Sequence, residues 1–196
     1  MLIRDLRAGD ARLIDQVATL LLEGFRQMAP DAWPTLEAAR AEVVASFAPE
    51  RISRIALDDD GVVVGWIGGI CDSYEFACEL HPLVVAPAQQ GRGIGRALVT
   101  DLEERVHARG GITVYLGTDD ELALTSLGGA ELFPGVLERL AAIQNLRRHP
   151  YEFYQKLGYE IVGVIPDANG PGRPDILMAK SLRRVDGETS GAGSIG

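Results

Sequence analysis

The sequence predicts an α/β (α+β) fold, one mixed sheet with helices on both of its faces, and three observations carry that prediction. Apolar residues switch between a two-residue and a helical spacing in the order β-α-α-β-β-β-α-β-(α)-α-β-β. A β-branched run, Leu80 to Ala86, reads as a strand buried on both faces; it leads into Gly91, Gly93 and Gly95 and then into an amphipathic helix. The 196 residues are 46% hydrophobic, enough for one domain with its own core over residues 1–182, without internal repeat or domain boundary.

Each element follows from a local signal. Leu2 to Leu6 alternates with charge and is the first strand. Asp10 is an N-cap, and Leu13, Val17, Leu20 and Leu21 follow at helical spacing as far as about Gln27. Met28 to Pro34 is a loop, and Thr35 caps a second helix to Phe47. Strands Ile52 to Leu57 and Val62 to Ile70 are joined by Asp58-Asp59-Asp60-Gly61, where Asp-Gly supplies the positive φ of a hairpin turn. That acidic cluster lacks the spaced ligands of a calcium loop. Ile94, Leu98, Leu102 and Val106 form the apolar stripe of the helix that Gly110-Gly111 ends. Thr113 to Leu116 is the next strand, and Thr118 to Glu131 is polar and loop-like. Pro134 to Leu146 predicts an extra helix, with Val136, Leu140 and Ile143 on one side. A short helix, Tyr151 to Leu157, ends at Gly158. Tyr159 to Ile165 and Asp175 to Lys180 are the last strands, and the Gly/Ser-rich tail from Arg183 is expected to be mobile.

Composition narrows the function. A net charge of −9 opposes a nucleic-acid partner, whose phosphates need a basic surface, and favours a cationic ligand. No apolar stretch reaches the roughly 18 residues of a membrane span, and Met1 to Arg12 lacks the apolar core of a secretory signal, so a cytoplasmic protein is expected. Cys71 and Cys78 have neither disulfide-framework nor zinc spacing and read as two small apolar core residues; His81, His107 and His149 show no metal-ligand spacing.

Strand, glycine loop and helix start together make a cup of backbone N–H groups at the positive end of a helix dipole, which holds an anion such as a phosphate. The spacing is not the G-x-G-x-x-G of a dinucleotide fold, and the Gly-Lys-Ser/Thr of a P-loop is missing. Gln90-Gly91-Arg92-Gly93-Ile94-Gly95 instead resembles the Q/R-x-x-G-x-G/A pyrophosphate loop of the GCN5-related N-acetyltransferase (GNAT) superfamily. Phe153-Tyr154-Gln155-Lys156-Leu157-Gly158-Tyr159 resembles the F-Y-x-K-L-G-F/Y segment of its fourth helix, and the element order is similar to that fold. Further blocks resemble one branch, the chromosomal aminoglycoside 6′-N-acetyltransferases: Glu79 to Val85, Arg109 to Asp120, Ile143 to Leu146, His149 to Tyr154, Asn169-Gly170 and Pro174 to Ile176. The likeness covers residues 79 to 180 and is looser before them.

The resemblance implies a mostly antiparallel sheet whose central strand splays from its neighbour, so that backbone N–H groups of Leu83, Val84 and Val85 bind the pantetheine and thioester of acetyl-CoA. It implies Gln90, Gly91, Arg92, Gly93, Ile94, Gly95 and Arg96 around the pyrophosphate, with Asn145 standing in for a cofactor-contacting asparagine. Glu79 occupies the branch's substrate-contacting glutamate position; a carboxylate there can hold a cationic amine and accept its proton, directly or through water. His81, on the same face of the strand, reads as structural. Tyr154 is the candidate general acid for the departing thiolate, since a phenol stays protonated at neutral pH, and Tyr151 is the second choice. A covalent acetyl-cysteine route would need an activated thiol, and neither cysteine lies near Tyr154 or the loop in sequence.

The acceptor pocket should be acidic and aromatic: Glu79, Asp119, Asp120 and Glu121, a less certain Glu23, and Phe25 or Trp33 in place of the branch's tryptophan. Leu122-Ala123-Leu124-Thr125 departs from the branch, which leaves the acceptor open between an aminoglycoside and a polyamine, peptide amine or other metabolite. A non-enzymatic coenzyme A sensor is the third reading. The branch also implies a homodimer built partly from the C-terminal strands.

Overall fold

The computed structural model describes residues 1–183; the tail expected to be mobile lies, apart from Arg183, outside them. One seven-stranded sheet has the order β1-β2-β3-β4-β5-β7-β6. Its strands are β1 (Leu2–Asp5), β2 (Arg51–Leu57), β3 (Val63–Ile70), β4 (Ala77–Val85), β5 (Thr113–Asp119), β6 (Glu160–Ile165) and β7 (Asp175–Ser181). Only β4 and β5 pair in parallel; every other neighbour is antiparallel.

Two clusters sandwich the sheet. On one face α1 (Ala11–Phe25) and α2 (Leu36–Ala45) cover the N-terminal strands, with Val17, Leu21, Val43, Ile55 and Trp66 fully enclosed. On the other, α3 (Ile94–Ala108) lays down the predicted stripe of Ile94, Leu98, Leu102 and Val106. Burying one such aliphatic side chain stabilises the fold by about 1.5–3 kcal/mol, which is why the stripe dictates where α3 lies. Arg54 of β2, almost completely buried, donates two hydrogen bonds to Asp101 of α3 at 2.6 and 2.7 Å and a third to Asp5. Helix and sheet edge are thereby tied by a charge pair on a buried arginine.

Local signals acted as expected at most turns. Thr35 Oγ1 accepts from the Ala38 N–H at 3.1 Å, and Asp58 accepts from the N–H groups of Asp60 and Val62 while Gly61 takes φ +73°. Asp10 does not cap α1; its carboxylate is held by Arg4 and the Arg7 N–H. The guanidinium of Arg4 accordingly holds the Asp10 carboxyl below its usual value. The predicted helix over 134–146 shrinks to α4 (Val136–Ala141). Beyond it Asn145 bridges to Thr125, and Leu124 accepts the Leu146 and Arg147 N–H groups, so the chain is drawn into the 120–131 loop.

The cysteines are also a correction. Cys71 and Cys78 form a disulfide, with Cα atoms 4.3 Å apart. They follow directly on the Ile70–Glu79 pair where β3 and β4 run antiparallel, so seven residues of separation become direct cross-strand opposition.

Candidate active site

The site is built where the sheet comes apart. Parallel pairing of β4 with β5 covers Ala77–Thr113, Cys78–Val114 and Glu79–Tyr115; among the described residues it then stops. Leu80–Val85 and Leu116–Asp119 diverge and leave a cleft of about 500 Å³. Leu80 to Ala86 was expected to be buried on both faces; instead burial alternates along β4, because one edge of the strand borders this opening.

Which amides face the gap follows from a neighbouring bond. The Ala86 N–H donates to Val64 on β3. Alternation then turns the Val84 N–H to β3 as well and leaves those of Leu83 and Val85 facing the gap. The Val84 side chain packs with α1, against Gly24. Val84 borders the cleft, but its amide is turned to β3 and its side chain to α1, so it offers no N–H to the gap. An extra residue in β4 between Leu80 and Leu83, opposite Ile67–Gly69, shifts the facing of the strand. Leu83 and Val85 thus pack on the α3 side, while the His81 ring lies 5.8 Å from Trp33 on the α1–α2 side.

At the outer end of β4 a single 3₁₀ turn, Pro87–Gln89, leads to the glycine loop. Gly93 is the residue before α3, with φ +85°, a conformation only glycine adopts at little cost, and no side chain caps the helix. A side chain at Gly91 or Gly93 would meet nothing within 4 Å, so the amides at the α3 N-terminus open onto free space. Gln90 lines the cleft and donates from Nε2 to the Val85 carbonyl at 3.2 Å. Arg92 and Arg96 are exposed beside it, Ile94 is buried in the core, and Gly95 lies against the Phe153 ring.

Tyr154, in α5 (Tyr151–Gln155), lines the cleft from the β5 side. Its ring packs against Phe153 at 5.0 Å and Tyr159 at 5.7 Å. Burial pushes its phenol well above the ordinary tyrosine value, which keeps the proton available for donation. Tyr151 is buried against His149 and is not among the lining residues of the cleft.

The opposite end of the cleft is aromatic and acidic. Phe25 and Trp33 meet edge to face at 4.8 Å and both line it, so the two candidates for the aromatic wall act as one. Asp119 is exposed on the β5 wall, where Asn169 donates to its carboxylate. Glu79 is half-buried beside Tyr115 at the fork where the strands part. Tyr115 carries a phenol raised by burial and by the Glu79 charge.

Three expected contacts are engaged elsewhere. Asp120 is fully buried and accepts from the Leu124 and Thr125 N–H groups and the Thr125 hydroxyl, so it anchors the 120–131 loop. Glu121 is paired with Arg173 at 3.4 Å. Asn145 spends its whole amide on His149, accepting from its N–H at 2.7 Å and donating to its carbonyl at 3.0 Å. Glu23 is exposed and outside the cleft.

His149 had been assigned no role. It is buried, its Nδ1 accepts from the Tyr151 N–H at 3.2 Å, and its Nε2 lies 3.1 Å from the Asp119 carbonyl. An acceptor at Nδ1 makes Nε2 the donor, and burial lowers the ring pKa, which favours that neutral form. The imidazole thus clamps the start of α5 to the end of β5. The His-Pro pair before a short helix was its only signal in the sequence.

Residues 14–127, more than half of the chain, match the family model described as Acetyltransferase (GNAT) family. The chain belongs to the GNAT acetyltransferases. Its structure is similar over 95% of its length to the whole of an aminoglycoside 6′-N-acetyltransferase crystallised with coenzyme A, at 43% identity and a TM-score of 0.84. It is equally similar to the aminoglycoside 6′-N-acetyltransferase of Enterococcus faecium, with 44% identity, TM-score 0.83 and the same coverage. A more distant likeness links it to the N-alpha-acetyltransferase RimI of Mycobacterium tuberculosis (strain ATCC 25618 / H37Rv), 35% identical over 109 residues. That alignment takes in 53% of this chain and 63% of the relative, so the chain spans less than two thirds of that curated relative. The expected fold, with β4 and β5 splayed, is that of this acetyltransferase.

Proposed function

We propose that this acetyltransferase carries the acetyl group of acetyl-CoA to the 6′-amine of an aminoglycoside by direct attack, with both substrates bound together. One observation carries the reading. The gap between β4 and β5 has free amides along one wall, a buried phenol on the other, and an aromatic–acidic recess at its end. The uncapped α3 N-terminus and the open space over Gly91 and Gly93 fit a pyrophosphate, and Leu83 and Val85 can donate to pantetheine and to the thioester oxygen. Coenzyme A bound in a full-length structural relative at 43% identity supports the same use here.

The residues then divide the work. Glu79 orients the ammonium and takes up its proton, directly or through water, so that a neutral amine reaches the carbonyl carbon. The nitrogen–carbon bond forms, the carbon–sulfur bond breaks as Tyr154 gives its proton to the sulfur, and the proton that the nitrogen sheds as the amide forms passes through water to restore the phenol. Phe25 and Trp33 flank the sugar ring. The decisive assay is thiol release with kanamycin A and tobramycin. Turnover that requires the drug, and drops about 10²-fold or more in Glu79→Gln, is expected; background rates on every 6′-amino aminoglycoside would refute the reading.

A second acceptor class is favoured by one observation, the inward commitment of Asp120 and the Glu121–Arg173 pair, which leaves this chain fewer free carboxylates near the cleft. A polyamine preferred over every aminoglycoside in a competition assay would establish it. We also propose a homodimer through the C-terminal strands. β6 is an edge strand, and Val162 and Ile165 are exposed upon it. Light scattering should give twice the monomer mass, and a monomer at micromolar concentration would exclude it.

A further inference from the structure

Beyond the expected carboxylates lies one inside the Pro174 to Ile176 block, to which the reading of the sequence assigned no role. Asp175 opens β7 directly opposite Asp119. Its side chain reaches diagonally across the strand pair to lie over Gly117, where an added Cβ would overlap the carboxylate. Gly117 is exposed and lines the cleft, so the Asp175 carboxylate, in the place a side chain at 117 would take, lies next to the cleft floor. Asp175 Oδ1 is enclosed and has no hydrogen-bond partner among the described residues. A buried carboxylate oxygen without a donor costs free energy in the empty protein, and a cation entering over Gly117 would recover it.

The surroundings are one-sided. From β5 the Asp119 carboxylate faces it, and from β4 the charge of Glu79 reaches it; the Thr118 backbone N–H is the only favourable group beside it, and its partner on β6 is Ile165. The nearby cation is already engaged, Arg173 with Glu121, and the neutral His149 ring is held by the Asp119 carbonyl. Burial first, then the Asp119 and Glu79 charges, raise the Asp175 carboxyl to about 6. Near neutrality it is therefore an ionised group short of a counter-charge.

We propose that Asp175, reached over Gly117, is a further acceptor-binding carboxylate, and that with Asp119 it holds a second ammonium of a polycationic acceptor, distinct from the amine that Glu79 holds for acetylation. The inference rests on the acetyltransferase reading of the cleft and deepens it, because it makes acceptors with at least two amines the favoured class. Binding such an acceptor below the Asp175 pKa displaces one proton from that carboxyl.

The test compares the wild-type chain with Asp175→Asn and Gly117→Ala, using kanamycin A and acetyl-CoA. In both variants the kanamycin KM should rise about 10-fold or more, a loss of about 1.4 kcal/mol, while the KM for acetyl-CoA stays at the wild-type value. The acid limb of kcat/KM near pH 6 should disappear in Asp175→Asn. Wild-type kanamycin KM and an unaltered pH profile in Asp175→Asn would overturn the proposal, as would equal losses for both substrates with a lowered melting temperature, which mark a structural role. If the wild-type chain acetylates no aminoglycoside, the drug reading fails by itself. Calorimetric titration of spermine then decides the carboxylate: weaker binding to Asp175→Asn upholds it, and equal binding refutes it.

Discussion

The two ends of the cleft are made of different materials. Under the proposed function the cofactor end is backbone: the amides of Leu83 and Val85, the Gly91–Gly93 turn and the uncapped start of α3. The proposed acceptor end is side chains, brought together from α1, the loop after it, β4 and β5, with Asp175 of β7 next to them. Backbone recognition needs a path for the chain, which a short local pattern of glycines specifies. Side-chain recognition needs several elements to converge, and a change in any one alters it. The cofactor end should therefore tolerate loss of side chains and resist changes of backbone, with the reverse at the acceptor end.

The largest effect should come from the group that joins the two ends. Tyr154→Phe removes the phenolic proton while leaving the ring packed between Phe153 and Tyr159. With general-acid assistance lost, kcat should fall about 10²- to 10⁴-fold. The affinity for acetyl-CoA, measured by calorimetry, should remain, because the proton donor is not part of the anion cup. A Tyr154→Phe enzyme with near-normal kcat would show that solvent protonates the thiolate.

At the cofactor end, Gly93→Val should be far more damaging than loss of either nearby arginine. A β-branched residue at φ +85° costs about 1–2 kcal/mol or distorts the turn, and the amides of α3 move with it. An increase of about tenfold or more in the KM for acetyl-CoA is expected. Arg92→Ala and Arg96→Ala, both exposed, should change it only a few-fold, since surface charges are screened. An arginine variant worse than Gly93→Val would break the contrast.

That contrast also accounts for what could be read from the sequence. The sheet order, the α3 stripe and the hairpin at Gly61 were legible because each rests on periodicity or on a residue with special φ. The glycine loop and Tyr154, to which the proposed function gives roles, stood out for the same reason, as they lie in continuous segments. Asp120, Glu121 and Asn145 have the right chemistry at the right place in the chain, yet Thr125, Arg173 and His149 claim their hydrogen-bonding groups. Nothing in composition or spacing says which carboxylate a loop will consume. Asp175 was missed for the converse reason: its neighbour is a glycine on β5, and their diagonal contact across the β5–β7 pair exists only in the folded sheet. The disulfide likewise depends on the β3–β4 register.

His149 offers a sharper probe of the acceptor end, because it links Asp119 to the helix of Tyr154. Its pKa is lowered in the folded protein, so the neutral ring contributes stability above the unfolded value of about 6.5 that is lost as pH falls through the folded value. His149→Ala leaves the Tyr151 N–H and the Asp119 carbonyl without this partner. A loss of about 1–3 kcal/mol is expected in urea unfolding at pH 7.5, shrinking toward acid pH. A loss that stays constant between pH 5 and pH 8, on the order of the full effect, would mean that packing and not the neutral imidazole holds the clamp.

The smallest effect is on stability, and it has the opposite sign. Burial and the neighbouring charges push the Asp175 carboxyl from its ordinary 3.8 up to about 6 in the folded chain, so the folded state binds more protons than the unfolded state between those values. Stability linked to this group is greatest below the lower value, falls as pH rises through the window, and is fully lost above it. Asp175→Asn removes that slope. Discounted for solvent screening, the gain above pH 7 is about 1–2 kcal/mol, small beside the catalytic effects but opposite to the usual result of removing a half-buried polar group. Urea titrations at pH 4 and pH 7.5 measure it directly. A variant less stable than wild type at both pH values would mean that Asp175 is held by favourable partners, and that the acceptor end, like the cofactor end, is at ease without its ligand.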